Sequence, residues 1–228
     1  MTQAISVVLI TLNAGTQLEA CLKSVDFADE KLIVDSGSND NTLQIARSHG
    51  AKVVEKEWMG FGPQKQFAVE SARNDWVLCL DADERLGAEL SAEIQKELTA
   101  PRAFAYEMPR CNKFMGRWLR HGEGYPDYCL RLFHRKHARW SEDSVHEVVV
   151  TQSPVIRLRS DLLHESAETL ENYLDKQNRY TSLQANQRFA AGERANAFKL
   201  VFSPLLRFIK FYVVRLGFLD GLPGLIHI

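Results

Sequence analysis

Short apolar runs alternate with amphipathic stretches through the first hundred residues, and this alternation constrains the fold more than any other feature of the chain. Ile5 to Leu12 stops at Asn13, Lys31–Asp35 stops at a polar loop, Lys52–Glu55 is a third run, and Trp76-Val77-Leu78-Cys79-Leu80 leads straight into Asp81. Runs this short and this apolar are the pattern of strands buried on both faces. Between them the spacing predicts helices. One is opened by a Thr16-x-x-Glu19 capping box and reaches Val25, one covers Thr42–His49 and stops at Gly50, one is opened by Pro63 and reaches Arg73, and one covers Ala88–Leu98 before Pro101. Strand and helix in alternation build a mostly parallel sheet with helices on its faces. Further on, Phe104 to Leu163 reads as short strands and loops, Glu168 to Ala191 as a long helix ending at Gly192, and Ala195 to Ile228 as an amphipathic stretch broken by Pro204.

With 45% hydrophobic and 25% charged residues, the 228-residue chain can bury a full core, which excludes disorder. Its 28 Lys and Arg balance 29 Asp and Glu, so global charge gives no reason to expect nucleic-acid binding. Cys21, Cys79, Cys111 and Cys129 form no C-x-x-C pair, which argues against a zinc site or disulfide scaffold and points to the reducing cytoplasm. The N-terminal apolar run lacks a basic leader and reads as a strand, not a signal peptide.

In a parallel sheet, ligands bind outside the carboxyl ends of the strands, where Asn13, Asp35 and Asp81/Asp83 fall. Asn and Asp are also ordinary turn residues. Asp81-Ala82-Asp83 is harder to read that way, because two carboxylates after a buried strand repel each other unless donors or a hard divalent cation compensate. A solvated loop at Asp81-Ala82-Asp83-Glu84 is the alternative.

The segment Val34-Asp35-Ser36-Gly37-Ser38-Asn39-Asp40-Asn41-Thr42, followed by Leu78-Cys79-Leu80-Asp81-Ala82-Asp83, resembles the inverting family 2 glycosyltransferases of the GT-A fold. The resemblance covers residues 5 to about 98 closely. It implies an α/β fold with a Rossmann-like, mostly parallel sheet and flanking helices, followed here by C-terminal amphipathic helices. It further implies that the first strand and the Asp35-Ser36 loop hold the nucleoside of a nucleotide sugar, and that the D-x-D holds a divalent metal, Mg or Mn, on the donor diphosphate. In that scheme Asp83 is the first metal ligand, Asp81 touches the ribose or a metal-bound water, Asp35 accepts from the base, and Lys65 is a diphosphate or nucleoside contact or simply a surface lysine. His164 either completes the metal or diphosphate shell or is a histidine hydrogen-bonded in the core. Shorter motifs, Tyr125-Pro126-Asp127, Arg131-Leu132-Phe133, Val145-His146-Glu147 and Phe218-Leu219-Asp220-Gly221-Leu222-Pro223-Gly224, are similar to bacterial lipopolysaccharide inner-core β-1,4-glucosyltransferases, which implies glucose transfer from UDP-glucose to an inner-core heptose. Another nucleotide sugar or a polyprenyl-phosphate acceptor is the alternative within the family. The expected division is a catalytic domain over 1–163, with a nucleotide-sugar half 1–100 and an acceptor half 101–163, and a membrane-associating helical extension over 164–228.

Inversion requires a carboxylate that takes the acceptor hydroxyl's proton. Glu147 is the first candidate, with Asp143 and Asp127 competing, and Glu142-Asp143 stands near the Glu-Asp pair more familiar in the family. His146-Glu147 and His164-Glu165 lack the second histidine of H-E-x-x-H, so a zinc protease is excluded. A phosphatase of the haloacid dehalogenase type carries D-x-D on its first strand, whereas here it follows about the fourth. A non-catalytic nucleotide-binding module is the remaining rival.

From Arg110 to Arg139 basic residues outnumber acids and interleave with Phe114, Trp118, Tyr125, Tyr128, Phe133 and Trp140, a mixture suited to a phosphorylated glycolipid acceptor. No nucleic-acid motif accompanies it. Between Arg194 and Leu219 stand five basic residues and no acidic one, and Pro204 and the charges interrupt each apolar run short of a bilayer span. The segment is therefore expected to lie on the inner leaflet of the cytoplasmic membrane, making the protein peripheral there, or to pack on the catalytic domain. The apolar end Gly224-Leu225-Ile226-His227-Ile228 suggests a continuing chain or a covering partner.

Overall fold

The computed structural model describes residues 2–142, 147–165, 170–194 and 196–228. The chain divides into two compact units, Met1–Arg110 with Asp127–His164, and Cys111–Pro126 with Glu165–Ile228.

The first unit is α/β. Strands β1 (Ile5–Thr11), β2 (Glu30–Asp35), β3 (Lys52–Glu55) and β4 (Trp76–Leu80) pair in parallel in the order β3-β2-β1-β4. They alternate with α1 (Leu18–Ser24), α2 (Thr42–Ser48) and α3 (Phe61–Ser71). Val7, Leu9, Leu32, Ile33 and Leu78 are buried in the two cores on either face of this sheet, each contributing about 1.5–3 kcal/mol. Register brings the strand ends to one rim: Thr11 lies opposite Asp35, and Leu9 opposite Leu80.

After β4 the pairing changes. Strand β5 (Glu84–Leu86) and α4 (Ala88–Thr99) lead into β6 (Ala105–Phe114), and β7 (Arg117–Trp118) pairs with the far end of β6. Strand β8 (Asp127–His134) runs antiparallel to both β4 and β6, with Leu78 opposite Leu132. β9 (Ala138–Trp140) and β10 (Val149–Thr151) form a hairpin, β11 (Val155–Arg157) joins β6 in parallel, and β12 (Leu162–His164) pairs antiparallel with β5.

Three local expectations are corrected. The Thr16-x-x-Glu19 box does not form: α1 begins at Leu18 because the Ala14 carbonyl accepts from the N–H of Gln17 and Leu18, and Glu19 pairs with Lys23 at 2.6 Å instead. Helix α3 begins at Phe61, before Pro63, after Gly60 turns the chain at φ 99°. The D-x-D is followed by a strand, not a solvated loop, and Glu84 is fully buried.

The second unit contains the β6–β7 hairpin end, with Lys113 opposite Trp118, and the C-terminal helices. Its helices are α5 (Leu170–Ala190), α6 (Ala197–Phe208), a π-helical turn (Ile209–Val214), a 3₁₀ turn (Gly217–Asp220) and α7 (Gly221–His227). Pro204 does not break α6, since it removes one backbone donor and the segment continues helical through Val214. Asp220 is buried and accepts from the backbone N–H of Arg120 and His121, with His121 Nδ1 at 2.9 Å, fastening the 3₁₀ turn to the stretch after β7. A side chain at Gly224 would place its Cβ 2.4 Å from the Gly217 carbonyl oxygen, which explains the glycine spacing of the C-terminal motif by close backbone packing.

Candidate active site

Two loops lace together at the carboxyl ends of β1 and β2. Asn13 holds φ 53°, a left-handed conformation that asparagine tolerates, and this turns its carbonyl Oδ1 onto the N–H of Asn39 at 2.9 Å. The Asn13 N–H donates to Ser38 Oγ, and the Ala14 N–H to Thr42 Oγ1, both at 2.8 Å. Beneath them Asp35 is fully buried and accepts from Thr11 Oγ1, Ser38 Oγ, and the N–H of Gly37 and Ser38. Burial pushes its carboxyl up, but these bonds more than offset that and hold it below the ordinary value. Asp35 thus organises the loop, and contact with a nucleobase would require one of these bonds to be exchanged. Ser36 Oγ accepts from Gln64 Nε2 at 3.1 Å.

At the end of β4 the charges form a chain. Asp81 Oδ1 lies 3.0 Å from Lys65 Nζ, and Asp81 Oδ2 accepts from Arg131 at 2.7 Å. Arg131 also donates to buried Glu84 at 2.7 Å, and Glu84 accepts from the Asp81 N–H at 3.0 Å. Arg110 reaches Glu84 at 3.4 Å and clamps Asp127 with Nε and Nη2 at 2.9 and 2.7 Å. Burial pushes the Asp81 carboxyl up, yet Arg131 and then Lys65 pull it well below the usual carboxylate range. Asp81 is therefore charged at any physiological pH, with both oxygens held by cations.

Lys65 carries the chain onward. Its Nζ, almost fully buried, donates to Glu147 at 3.0 Å and lies 4.8 Å from the Trp140 ring centroid, with the Arg131 guanidinium 5.7 Å from the same ring. The structure thus joins Asp81, Lys65 and Glu147, which are far apart in sequence, and it excludes the surface-lysine alternative for Lys65. Asp83 faces His164, with Nε2 to Oδ2 at 3.2 Å. Of the candidate bases, Glu147 meets Lys65, Asp127 is clamped by Arg110, and Asp143 lies outside the described residues.

Asp83 and His164 offer a carboxylate oxygen and an imidazole nitrogen, a donor pair that fits Mn or Mg completed by oxygens from a phosphorylated ligand. Among the described residues no group of three His, Cys, Asp or Glu could hold an ion on its own. Cys79, behind this rim, has its thiol pushed up to about 12 by burial, so it is no nucleophile at neutral pH.

Sequence reasoning did not place Glu84 or Gln64 in this site, and took Arg131 and Trp140 for the acceptor-facing basic and aromatic mixture, not for partners of Asp81 and Lys65. Gln64 is fully buried, and besides Ser36 it binds the Lys56 carbonyl and the Met59 N–H, tying the segment before α3 to the Asp35 loop. Trp140 donates its indole N–H to Cys79 Sγ at 3.4 Å. The available signal was a glutamate directly after D-x-D and an arginine inside an apolar strand. The basic run from Arg110 to Arg139 is largely engaged: Arg135 and Lys136 pair with Asp75, Arg139 with Glu142, Lys113 with Glu165, and Arg110 and Arg131 with the acids above. It does not stand as one open phosphate-binding patch.

Because Arg131 and Glu84 are buried against each other, Arg131→Met should cost about 3–5 kcal/mol in urea unfolding, the penalty of an uncompensated buried charge. Arg131→Met with Glu84→Gln should recover part of that loss. A single variant as stable as the parent would show that the pair does not hold the rim.

The glycosyl transferase family 2 model matches residues 6–158. An uncharacterized glycosyltransferase of Rickettsia prowazekii is 31% identical over 235 residues, which covers 97% of this chain and 80% of the relative. The lipopolysaccharide core biosynthesis glycosyltransferase LpsC of Rhizobium meliloti is 30% identical over 98% of this chain and 86% of its own. Among solved structures, S. aureus TarS in complex with UDP-GlcNAc matches with TM-score 0.53 and 15% identity over 73% of this chain and 59% of that one, a likeness of GT-A fold. With the family model running from β1 to just past β11, and relatives aligned over nearly the whole length, this chain belongs to the family 2 glycosyltransferases.

Proposed function

We propose that the protein is a metal-dependent inverting glycosyltransferase that moves glucose from UDP-glucose to an inner-core heptose of lipopolysaccharide. The observation that carries the chemistry is the single rim where Asp81, Lys65 and Glu147 meet, with Asp83, two residues after Asp81, facing His164 in the same unit. The relative LpsC, named for lipopolysaccharide core biosynthesis, supports the acceptor class. The motifs shared with inner-core glucosyltransferases support the sugar. In this reading residues 1–100 hold the donor, with the Asn13 and Asp35-Ser36 loops at the nucleoside, and 101–163 meet the acceptor. The acceptor is a phosphorylated glycolipid, which places the protein peripherally at the inner face of the cytoplasmic membrane.

Glu147 takes the proton of the acceptor hydroxyl as that oxygen attacks the anomeric carbon from the face opposite the diphosphate. Lys65, already between Asp81 and Glu147, is placed to meet negative charge on the donor. Asp83 and His164 would hold the divalent metal, which when bound stabilises charge growing on the leaving diphosphate.

The test is a panel of nucleotide sugars read by thermal shift with and without manganese, followed by UDP release with delipidated core oligosaccharide. UDP-glucose should give the largest manganese-dependent shift and support transfer. A larger response to another nucleotide sugar, or transfer to polyprenyl phosphate alone, would replace the proposed substrates within the same family.

A further inference from the structure

Helix α6 and the π-helical turn after it lack the covering that their side chains require. Leu200 is 74% exposed and Val214 71%, and Phe198, Val201, Leu205, Leu206 and Ile209 are exposed as well. A helix that is apolar on several faces has a stable place only against another apolar phase. No helix among the described residues is long and apolar enough to cross a membrane.

On this segment lies an open groove of about 380 Å³. Phe198, Phe202, Leu206 and Phe211 line it, with the rings of Phe198 and Phe202 stacked at 4.2 Å. Lys199, Arg207 and Lys210 line it too. The two sets follow helical spacing, Phe198-Phe202-Leu206-Lys210 beside Lys199-Ser203-Arg207-Phe211, so cations and apolar groups share one face. Arg207 is forked onto Glu123 through Nε and Nη2, which anchors this face within its own unit, and Lys210 stands 5.0 Å from the Phe211 ring centroid. No acid lies between Arg194 and Leu219 to neutralise the remaining charge.

We propose that this groove is a docking site for an anionic phospholipid, seating the lipid phosphate against Lys199 and Lys210 and the upper acyl chain along Phe198, Phe202 and Leu206. Charge complementarity selects the occupant: a protein partner or a second copy of this basic face would have to bring its own acids, whereas an anionic bilayer supplies phosphate and hydrocarbon together. The inference specifies the surface behind the proposed membrane location and does not depend on which sugar is transferred.

Flotation of the full chain with vesicles tests it, using phosphatidylcholine alone and phosphatidylcholine mixed with phosphatidylglycerol. Binding should require phosphatidylglycerol and fall with salt. Lys199→Glu with Lys210→Glu should weaken it about tenfold or more, and Phe202→Ser with Leu206→Ser should weaken it even at low salt. Circular dichroism and UDP release with delipidated acceptor should stay at the parent level in both variants. Equal binding to both vesicle types, or variants that bind like the parent, would overturn the proposal. So would self-association in sedimentation that Leu206→Ser abolishes while no vesicle binding is seen. Loss of sugar transfer with vesicle binding intact would instead strike the proposed function and leave the groove standing.

Discussion

Asp83→Ala should leave the protein folded and abolish sugar transfer, with a loss of about a thousandfold or more. Its carboxylate is partly exposed and faces His164, so truncation opens no core cavity, and the change in unfolding free energy should stay within about 1 kcal/mol. The activity loss comes from a different source. A diphosphate leaving group gains negative charge as its bond to the sugar breaks, and Asp83 with His164 is a pair whose donor atoms suit the cation that would stabilise that charge. Asp81 is engaged in a different way, with Lys65 on one of its oxygens and Arg131 on the other. Chelation of divalent metal should reproduce the effect in the parent protein, and adding manganese should not restore Asp83→Ala. Full activity in Asp83→Asn would remove this residue from the metal role, since the amide keeps the shape and loses the charge.

Glu147→Gln should lower turnover by roughly 10²–10⁴-fold while donor binding persists. The amide fits the same space and still accepts a hydrogen bond from Lys65, so the 3.0 Å contact survives in geometry while the proton acceptor is lost. Asp127→Asn and Asp143→Asn are the comparisons. Asp127 Oδ2 is held by two hydrogen bonds from the Arg110 guanidinium, which ties it to the protein's own charge chain, and its amide variant should retain most activity. Measuring kcat separately from donor affinity decides the matter: a fall in affinity with unchanged kcat would assign Glu147 to binding. Normal turnover in Glu147→Gln with a dead Asp143→Asn would move the base upstream.

The first, second and fourth strands were legible because each is a largely buried run a few residues long, a pattern written locally in Val7, Leu9, Ile33 and Leu78, whereas the third, Lys52–Glu55, is only half-buried at Val53 and Val54. The rim was legible for the same reason, since the residue that follows a buried parallel strand stands at its carboxyl end whatever the rest of the chain does. Local reading failed where a competing local bond won. Glu19 had Lys23 one helical turn away and did not cap, and Pro204 cost one donor in a segment helical on both sides. It also failed for Arg131 and Glu84. Burial of an ion pair depends on two segments meeting, and an arginine inside an apolar strand does not by itself name the acid it will meet.

The sequence by itself therefore determined the first four strands with the helices between them, the parallel half of the sheet, the place of Asp35 and Asp81 at the ends of its strands, and the family. Tertiary structure decided the partnerships. Arg131 meets Asp81 across 50 residues of chain, Asp83 meets His164 across 81, and Lys65 meets Glu147 across 82. Hydrophobic periodicity is a property of neighbours along the chain, whereas a charge pair is a property of two points brought within about 3 Å by packing, and packing is settled only when the whole sheet has formed.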